Sequence, residues 1–462
     1  MAGVLTYLEQ RAIEEDWLIG YDSREFYQLS QRLFLDWSQQ TNQGTTLKIL
    51  LAEQDPIRFL ASFVAACAAN CEIFLCNPNW VEQEWNQVFD LVQPDLILGQ
   101  QLNLPRHQGR HGGIAPTEGR HGGATPTGIM IPTGGTSGKI RFAIHTWDTL
   151  MASVRGFQQY FGHKEINSFC VLPLYHVSGL MQFLRSFTTG GKLMILPFKA
   201  VVEGAGNIDP TKFFISLVPT QLARLLTPNA SAWLSRFQTV LLGGAPAWAE
   251  LLKQARSYNI PLALTYGMTE TASQIVTLKP EVFLRGNNSS GQVLPHAKVT
   301  IRSSTGEHLG ANNTGIITIK SDSLMLGYYP ELLANHPYFQ PDDLGFLDDK
   351  GYLTIIGRNS NKIITGGENV FPAEVEAAIQ ATQLVTDVCV TGIPDSKWGQ
   401  VVTAVYVPRT EAVSTELLQA VLENKLSKYK QPKYWIQVES LSRNSQGKVN
   451  YEKLQKTVND WL

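Results

Sequence analysis

The sequence predicts an α/β protein: a large N-terminal domain of α/β subdomains that ends in a β-rich subdomain, followed by a small α+β C-terminal domain. Three observations carry this reading. Apolar runs (FCVLPL, KLMILPF, FFISLVP, TVLLGGAP, PLALTYG) alternate with amphipathic stretches such as TQLARLL and AWAELLKQA, the alternation that builds largely parallel sheets with function at strand C-termini. Over 287–357 the pattern changes to short strands and turns: KVTIRSSTGEHLG, GIITIKS, GYLTIIGR. A mixed α/β pattern then resumes, which sets an N-terminal domain at 1–358, a hinge at 359–361 and a C-terminal domain at 362–462.

Composition narrows the class. The 462 residues fit about three ordinary domains, and 44% hydrophobic residues are enough for large cores. A net charge of -2 with interspersed signs leaves no polyelectrolyte footprint, which argues against nucleic acid and for small-molecule substrates. Five cysteines (Cys67, Cys71, Cys76, Cys170, Cys389) are too oddly spaced for a disulfide framework or a CxxC metal site and read as buried thiols in a reducing compartment. The opening MAGVLTYLEQRAIEEDW has no basic start followed by an apolar run, so a cytoplasmic protein is expected. The most membrane-like stretch is FLASFVAACAANCEIFLC, 59–76. Asn70 and Glu72 interrupt it, and it reads as a buried helix followed by a buried strand, not as an integral membrane segment.

GRHGGIAPTE at 109–118 recurs as GRHGGATPTG at 119–128, seven of ten positions identical. Two copies do not make a solenoid, and the Gly/Pro/Arg/His composition reads as a surface insertion. Its His107, His111 and His121 could hold a metal adventitiously; a flexible linker is the stronger reading.

Immediately downstream stands PTGGTSGKIRF, 132–142. It is not a Walker A loop, because Thr133 and Ile140 occupy places that the pattern reserves for glycine and for Ser or Thr. Gly134, Gly135 and Gly138 still allow backbone N–H groups to approach an anion, Thr133, Thr136 and Ser137 add hydroxyls, and Lys139 and Arg141 add charge. Taken alone, the stretch is either a phosphate-binding loop or a Gly-rich surface turn.

It does not stand alone. LPLYHVSGL (172–180), LLGGAP (241–246), YGMTET (266–271), DLGFLDDKGYLTIIGR (343–358), GGENVFPAEVE (366–376) and SRNSQGKVN (442–450) follow in order. From Ile129 to about Leu454 this set resembles the adenylate-forming superfamily of acyl-CoA ligases, peptide-synthetase adenylation domains and luciferases. The resemblance implies ATP and coenzyme A as co-substrates with Mg2+. It assigns Thr133 to Lys139 to the pyrophosphate end of ATP, and Gly243, Gly244, Ala245, Pro246 and Tyr266 to the flanks of adenine. Thr269 would contact the α-phosphate and Glu270 the Mg2+ ion, a hard cation that prefers carboxylate oxygen. Asp343, assisted by Arg358, would take the ribose hydroxyls; outside this motif the two would read as a surface ion pair. Lys448 matches the catalytic-lysine loop. The C-terminal domain is implied to be mobile, swinging near Ser360 so that Lys448 leaves and Gly366, Gly367 and Glu368 face the thiol tunnel. Many relatives carry aspartate at Ser360, and KIRF departs from the family's Lys-Pro-Lys-Gly run.

The chemistry accounts for these residue types. A substrate carboxylate is itself the nucleophile at the α-phosphorus, so positioning and positive charge are required in place of a Ser-His-Asp or Cys-His nucleophile. Within the superfamily, LPLYHVSGL followed by Arg185 most resembles the o-succinylbenzoate-CoA ligases of menaquinone and phylloquinone biosynthesis. Their aromatic substrate carries two carboxylates, one adenylated and one in need of a cationic partner. Arg185, inside GLMQFLRSF, is not expected to be buried unpaired; its partner is either that second carboxylate or an internal acidic side chain. His176 lines the acyl pocket with Ser178 and Gly267, or is a packed core histidine. The alternatives are an AMP-forming ligase for another aryl or medium-chain acid, an adenylation enzyme loading a carrier protein, and a non-catalytic nucleotide-binding module. The joint presence of Thr269, Glu270, Asp343, Arg358 and Lys448 counts against the last. A homodimer is compatible with the sequence.

Overall fold

A parallel strand covered on both faces reads as an unbroken apolar run, and the five runs above become neighbouring strands of one sheet or its edges. The computed structural model describes all residues except 1, 15, 42–45, 100–127, 135–139, 205–207, 334–337, 367, 396, 424, 444–448 and 462. The decapeptide repeat apart from Gly128, its nearby histidines, Gly135 to Lys139, Gly367 and Lys448 lie outside the described residues.

The first sheet has eight strands in the order Leu18–Ile19, Leu193–Ile195, Asn167–Cys170, Phe213–Leu217, Thr239–Leu242, Leu262–Met268, Ser273–Thr277, Gln292–Val293. The first six are parallel, and each of the last two pairs antiparallel with the strand before it. A seven-stranded sheet runs Glu331–Leu332, Gly327–Tyr328, Ile140–His145, Ile129–Gly134, Glu72–Leu75, Lys48–Leu51, Leu96–Leu98, with its last four strands parallel.

Two helices fill the layer between these sheets. Pro56–Ala68 starts at Asp55, whose carboxylate accepts from Arg58 N at 2.9 Å, and buries every residue from Phe59 to Ala68. Val177–Thr189 starts at His176, ends on the left-handed Gly190 and buries Gly179 to Phe187. They share one core with Ile49, Leu51, Ile73 and Ile131 of one sheet and Cys170, Leu193 and Ile195 of the other. Each fully buried Leu or Phe there contributes about 1.5–3 kcal/mol. The membrane-like stretch is thus a buried helix followed by the strand Glu72–Leu75, and among the described residues no helix is long and apolar enough to cross a membrane. All five cysteines are buried and none forms a disulfide.

A four-stranded antiparallel sheet follows: Ala297–Arg302, Gly315–Ser321, Asp343–Leu347, Leu353–Arg358. Between its second and third strands the chain leaves to add Gly327–Tyr328 and Glu331–Leu332 to the seven-stranded sheet, a departure that the β-rich pattern did not foretell. The last sheet has five strands, built on the long hairpin Val385–Asp395 and Gly399–Pro408, with Ile363–Thr365, Glu368–Val370 and Tyr434–Gln437 around it.

Candidate active site

In α/β sheets, ligands collect at the carboxyl ends of strands, and here the ends of three sheets meet. Thr133 and Gly134 end a strand of the seven-stranded sheet; Gly243 to Pro246 follow one strand of the eight-stranded sheet, while Tyr266 to Met268 end its neighbour and Thr269 and Glu270 follow it; Asp343 and Arg358 face each other in register on the four-stranded one. Side-chain hydrogen bonds join the sheets. Thr133 Oγ1 donates to Glu270 Oε1 at 3.4 Å, and the Tyr266 hydroxyl donates to Asp343 Oδ2 at 2.8 Å.

The turn Thr269–Thr271 is held from every side. Four successive carbonyls are occupied: Thr269 by His145 Nε2 (2.8 Å), Glu270 by Met325 N (2.9 Å), Thr271 by Ser323 Oγ (2.9 Å) and Ala272 by Ser153 Oγ (2.7 Å). The grip sustains left-handed backbone at two non-glycine residues, Ala272 (φ 50°) and Ser273 (φ 93°), a strained pair of the kind that surrounding structure must impose. Gly267 is required beside it, since a Cβ there would lie 2.1 Å from the Ser273 carbonyl oxygen. His145 is fully buried, and burial pushes its imidazole down to about 4. It is therefore neutral: Nε2–H donates to Thr269 O, and Nδ1 accepts from the Thr149 hydroxyl at 3.0 Å.

Glu270 is 8% exposed, and its Oε1 accepts from the Tyr328 hydroxyl at 2.6 Å as well as from Thr133. Among the described residues no group of three or more His, Cys, Asp or Glu could hold a metal ion. A single poised carboxylate fits a cation that arrives already ligated, and Mg2+ carried in on the phosphates of ATP is such a cation.

On the four-stranded sheet, the Asp343 carboxylate is 11% exposed and lies 3.5 Å from Arg358 Nε, which is 46% exposed, so the pair is half-sealed and not a surface pair. Burial and then the Asp343 charge hold the Tyr266 phenol well above its ordinary value, which keeps it a donor. Gly243 lets the loop after its strand close on the next strand: a Cβ there would lie 2.4 Å from Thr265 Oγ1. Gly244 follows with φ 82°.

On the helix Val177–Thr189, Arg185 is 2% exposed and has no acidic partner among the described residues. Its Nη2 donates to Ser273 Oγ (3.2 Å) and Gln274 Oε1 (3.0 Å), its guanidinium carbon stacks 4.0 Å from the Phe157 ring centroid, and its Nε has no partner. Burial alone pulls it down to about 9. The internal salt bridge considered from sequence is absent from the described residues. Close by, both His296 nitrogens lack partners, and burial followed by the Arg185 charge lowers that ring to about 4. His296 fits only because Gly156 has no side chain; a Cβ would lie 1.8 Å from Nδ1. Ser273, Gln274 and His296 escaped the sequence reading because they are neutral and lie 88 or more residues from Arg185.

His176 is buried against Tyr175, ring centroids 4.4 Å apart, and Ser178 follows in the first turn of the helix with its carbonyl accepting from Gln182. His176 caps that helix and Arg185 lies nine residues further on, about 13 Å along its axis. In the C-terminal sheet, Gly366 (φ 57°) lies under Trp398, whose Cε3 a Cβ would approach to 2.8 Å, and Glu368 is exposed on the adjoining strand. Ser360 N donates to Asp342 Oδ2 at 3.0 Å.

The family model described as AMP-binding enzyme matches residues 35–329, and the AMP-binding enzyme C-terminal domain matches 374–448. The chain belongs to the AMP-binding enzyme family. This AMP-binding enzyme is 35% identical over 335 residues to the 2-succinylbenzoate–CoA ligase of Bacillus velezensis, covering 71% of this chain and 68% of the relative. It superimposes with a TM-score of 0.82, at 25% identity and 97% coverage of both chains, on o-succinylbenzoate CoA synthetase from Bacillus subtilis in complex with the acyl-adenylate intermediate. A structure of that Bacillus subtilis enzyme with ATP and a magnesium ion gives a TM-score of 0.78 at 24% identity, covering 97% of this chain and 99% of that one. These matches are those of an AMP-forming CoA ligase on the two-domain adenylate-forming fold.

Proposed function

We propose that this AMP-binding enzyme activates o-succinylbenzoate with MgATP to the acyl-adenylate, releasing pyrophosphate, and then transfers the acyl group to coenzyme A, releasing AMP. The observation that carries the choice of acid is Arg185: a buried guanidinium with neutral partners and an orphaned Nε is costly until an anion arrives, and a second substrate carboxylate is such an anion. Relatives bearing the 2-succinylbenzoate–CoA ligase name support the same acid. The reading places the enzyme in the cytoplasm, in menaquinone or phylloquinone biosynthesis.

In the first step the succinyl carboxylate attacks the α-phosphorus in line with the departing pyrophosphate. Thr133 to Lys139 hold the leaving phosphates, Thr269 the α-phosphate and Glu270 the magnesium of MgATP. Gly243 to Pro246 with Tyr266 hold adenine, Asp343 with Arg358 holds ribose, and Lys448 meets the developing charge. Arg185 binds the ring carboxylate, and His176 with Ser178 and Gly267 lines the acyl arm. In the second step the C-terminal domain, 362–462, turns about 359–361, withdraws Lys448 and presents Gly366, Gly367 and Glu368 to the pantetheine arm, whose thiol displaces AMP. With Ser in place of aspartate at position 360, the Asp342 carboxylate that accepts Ser360 N–H supplies the acidic group beside the hinge.

The test is pyrophosphate release on mixing enzyme, MgATP and o-succinylbenzoate, followed by thioester on adding coenzyme A. Release with o-succinylbenzoate, and little with 4-oxo-4-phenylbutanoate, which lacks the ring carboxylate, is expected. Faster release with a monocarboxylic acid would sink the substrate assignment and leave only the ligase chemistry.

A further inference from the structure

We infer that Tyr328 is a positioning residue for the Glu270 carboxylate, occupying one oxygen so that the other is presented to the magnesium ion of MgATP. The inference rests on Glu270 being the magnesium ligand. The carboxylate is bonded asymmetrically: Oε1 takes the Tyr328 hydroxyl at 2.6 Å and the Thr133 hydroxyl at 3.4 Å, and among the described residues nothing hydrogen-bonds Oε2. A short bond from a neutral donor to an ionised oxygen belongs to the stronger class of hydrogen bonds and fixes the plane of the carboxylate.

The phenol is itself fixed. Tyr328 pairs with Ala143 in the seven-stranded sheet, and the flanking chain is tied on both sides, Leu326 N to Ile144 O at 2.8 Å and Tyr329 N to Phe142 O at 2.9 Å. Met325 N, three residues earlier, holds the Glu270 carbonyl at 2.9 Å. One short segment therefore grips both the backbone and the side chain of the residue that meets the metal. The Arg141 guanidinium carbon lies 4.3 Å from the Tyr328 ring centroid, so the positive charge retained in KIRF rests on the ring that orients Glu270.

Partners that orient a metal ligand are worth about 10- to 100-fold in metal affinity. The test uses Mn2+ as a paramagnetic stand-in, titrated by electron paramagnetic resonance into the full chain with α,β-methylene-ATP. Four proteins are compared: wild type, Tyr328→Phe, Glu270→Gln and the double variant, each checked by circular dichroism. Tyr328→Phe keeps the ring beneath Arg141 and removes only the hydroxyl. It should weaken Mn2+ by about 10- to 100-fold, leave metal-free nucleotide binding unchanged, and add nothing in the Glu270→Gln background. Unchanged Mn2+ affinity in Tyr328→Phe, with a loss in Glu270→Gln, would overturn the role of Tyr328. Unchanged affinity in Glu270→Gln would instead remove Glu270 as the magnesium ligand.

Discussion

A charged side chain inside an apolar helix must be explained by a partner, and that requirement made Arg185 legible in the sequence when its surroundings were not. GLMQFLRSF shows the cation; nothing in it shows that Ser273, Gln274 and the Phe157 ring would surround it or that His296 would sit beside it. His145 was invisible for a related reason: at the end of the strand Ile140–His145 it reads as one polar residue closing an apolar run, and its partner, the Thr269 carbonyl, is 124 residues away. Its burial makes a prediction about pH. The folded imidazole is depressed to about 4 from an ordinary 6.5, so between those values the unfolded chain binds more protons than the folded one. Stability from this group is complete above pH 6.5 and is lost as pH falls toward 4, by up to about 1.4 kcal/mol per pH unit. His145→Gln should flatten the acid limb of stability against pH by close to one proton, with Glu270 facing the site and His296 keeping a similar contribution of its own. Urea midpoints across pH 5 to 7.5 measure it, and an unchanged slope would contradict the neutral, buried histidine.

Elements divide the same way between what local pattern encodes and what packing decides. The parallel strands were legible because burial on both faces leaves continuous apolar runs, and the helix Pro56–Ala68 because most of it lies in the apolar stretch 59–76; its Asp55 cap came from the fold. The strand Gly327–Tyr328 was not legible: two residues carry no period, and its pairing with Ile140–His145 is a tertiary choice. The Thr269–Thr271 turn was found by its motif, but the four separate donors that hold its carbonyls lie on three other segments. Its tightness can be tested at Gly267, where an added methyl would press on the Ser273 carbonyl oxygen at 2.1 Å and the Gln274 Cα at 2.5 Å. Gly267→Ala should cost about 1–3 kcal/mol through a forced backbone shift, with activity falling further than stability because Thr269 moves. Gly310→Ala, where the nearest atom is 3.9 Å away, is the matched control. Equal unfolding midpoints for the two would show that the turn has slack.

At the scale of the molecule, three sheets contribute strand ends to one site, and the C-terminal domain is proposed to visit it with different residues in each half-reaction. The order of the motifs made this architecture readable, because each motif sits at the end of an element whose place the α/β pattern sets; the sheet-joining contacts Thr133–Glu270 and Tyr266–Asp343 had to come from the fold. The domain swing predicts that Lys448→Ala slows adenylation by about 10^2- to 10^3-fold, as loss of one charge stabiliser does, and leaves thioester formation from supplied acyl-adenylate and coenzyme A near the wild-type rate. Single-turnover measurement of each half-reaction checks it, and equal impairment would contradict the swing. The substrate assignment is tested most directly by the affinity of Arg185→Gln for two acids, o-succinylbenzoate and 4-oxo-4-phenylbutanoate. A hydrogen bond to an ionised group is worth about 1.5–3 kcal/mol, so binding of the dicarboxylate should weaken about 10- to 150-fold while that of the monocarboxylate is little changed. Equal weakening of both acids would make Arg185 a structural residue and contradict its assignment to the ring carboxylate.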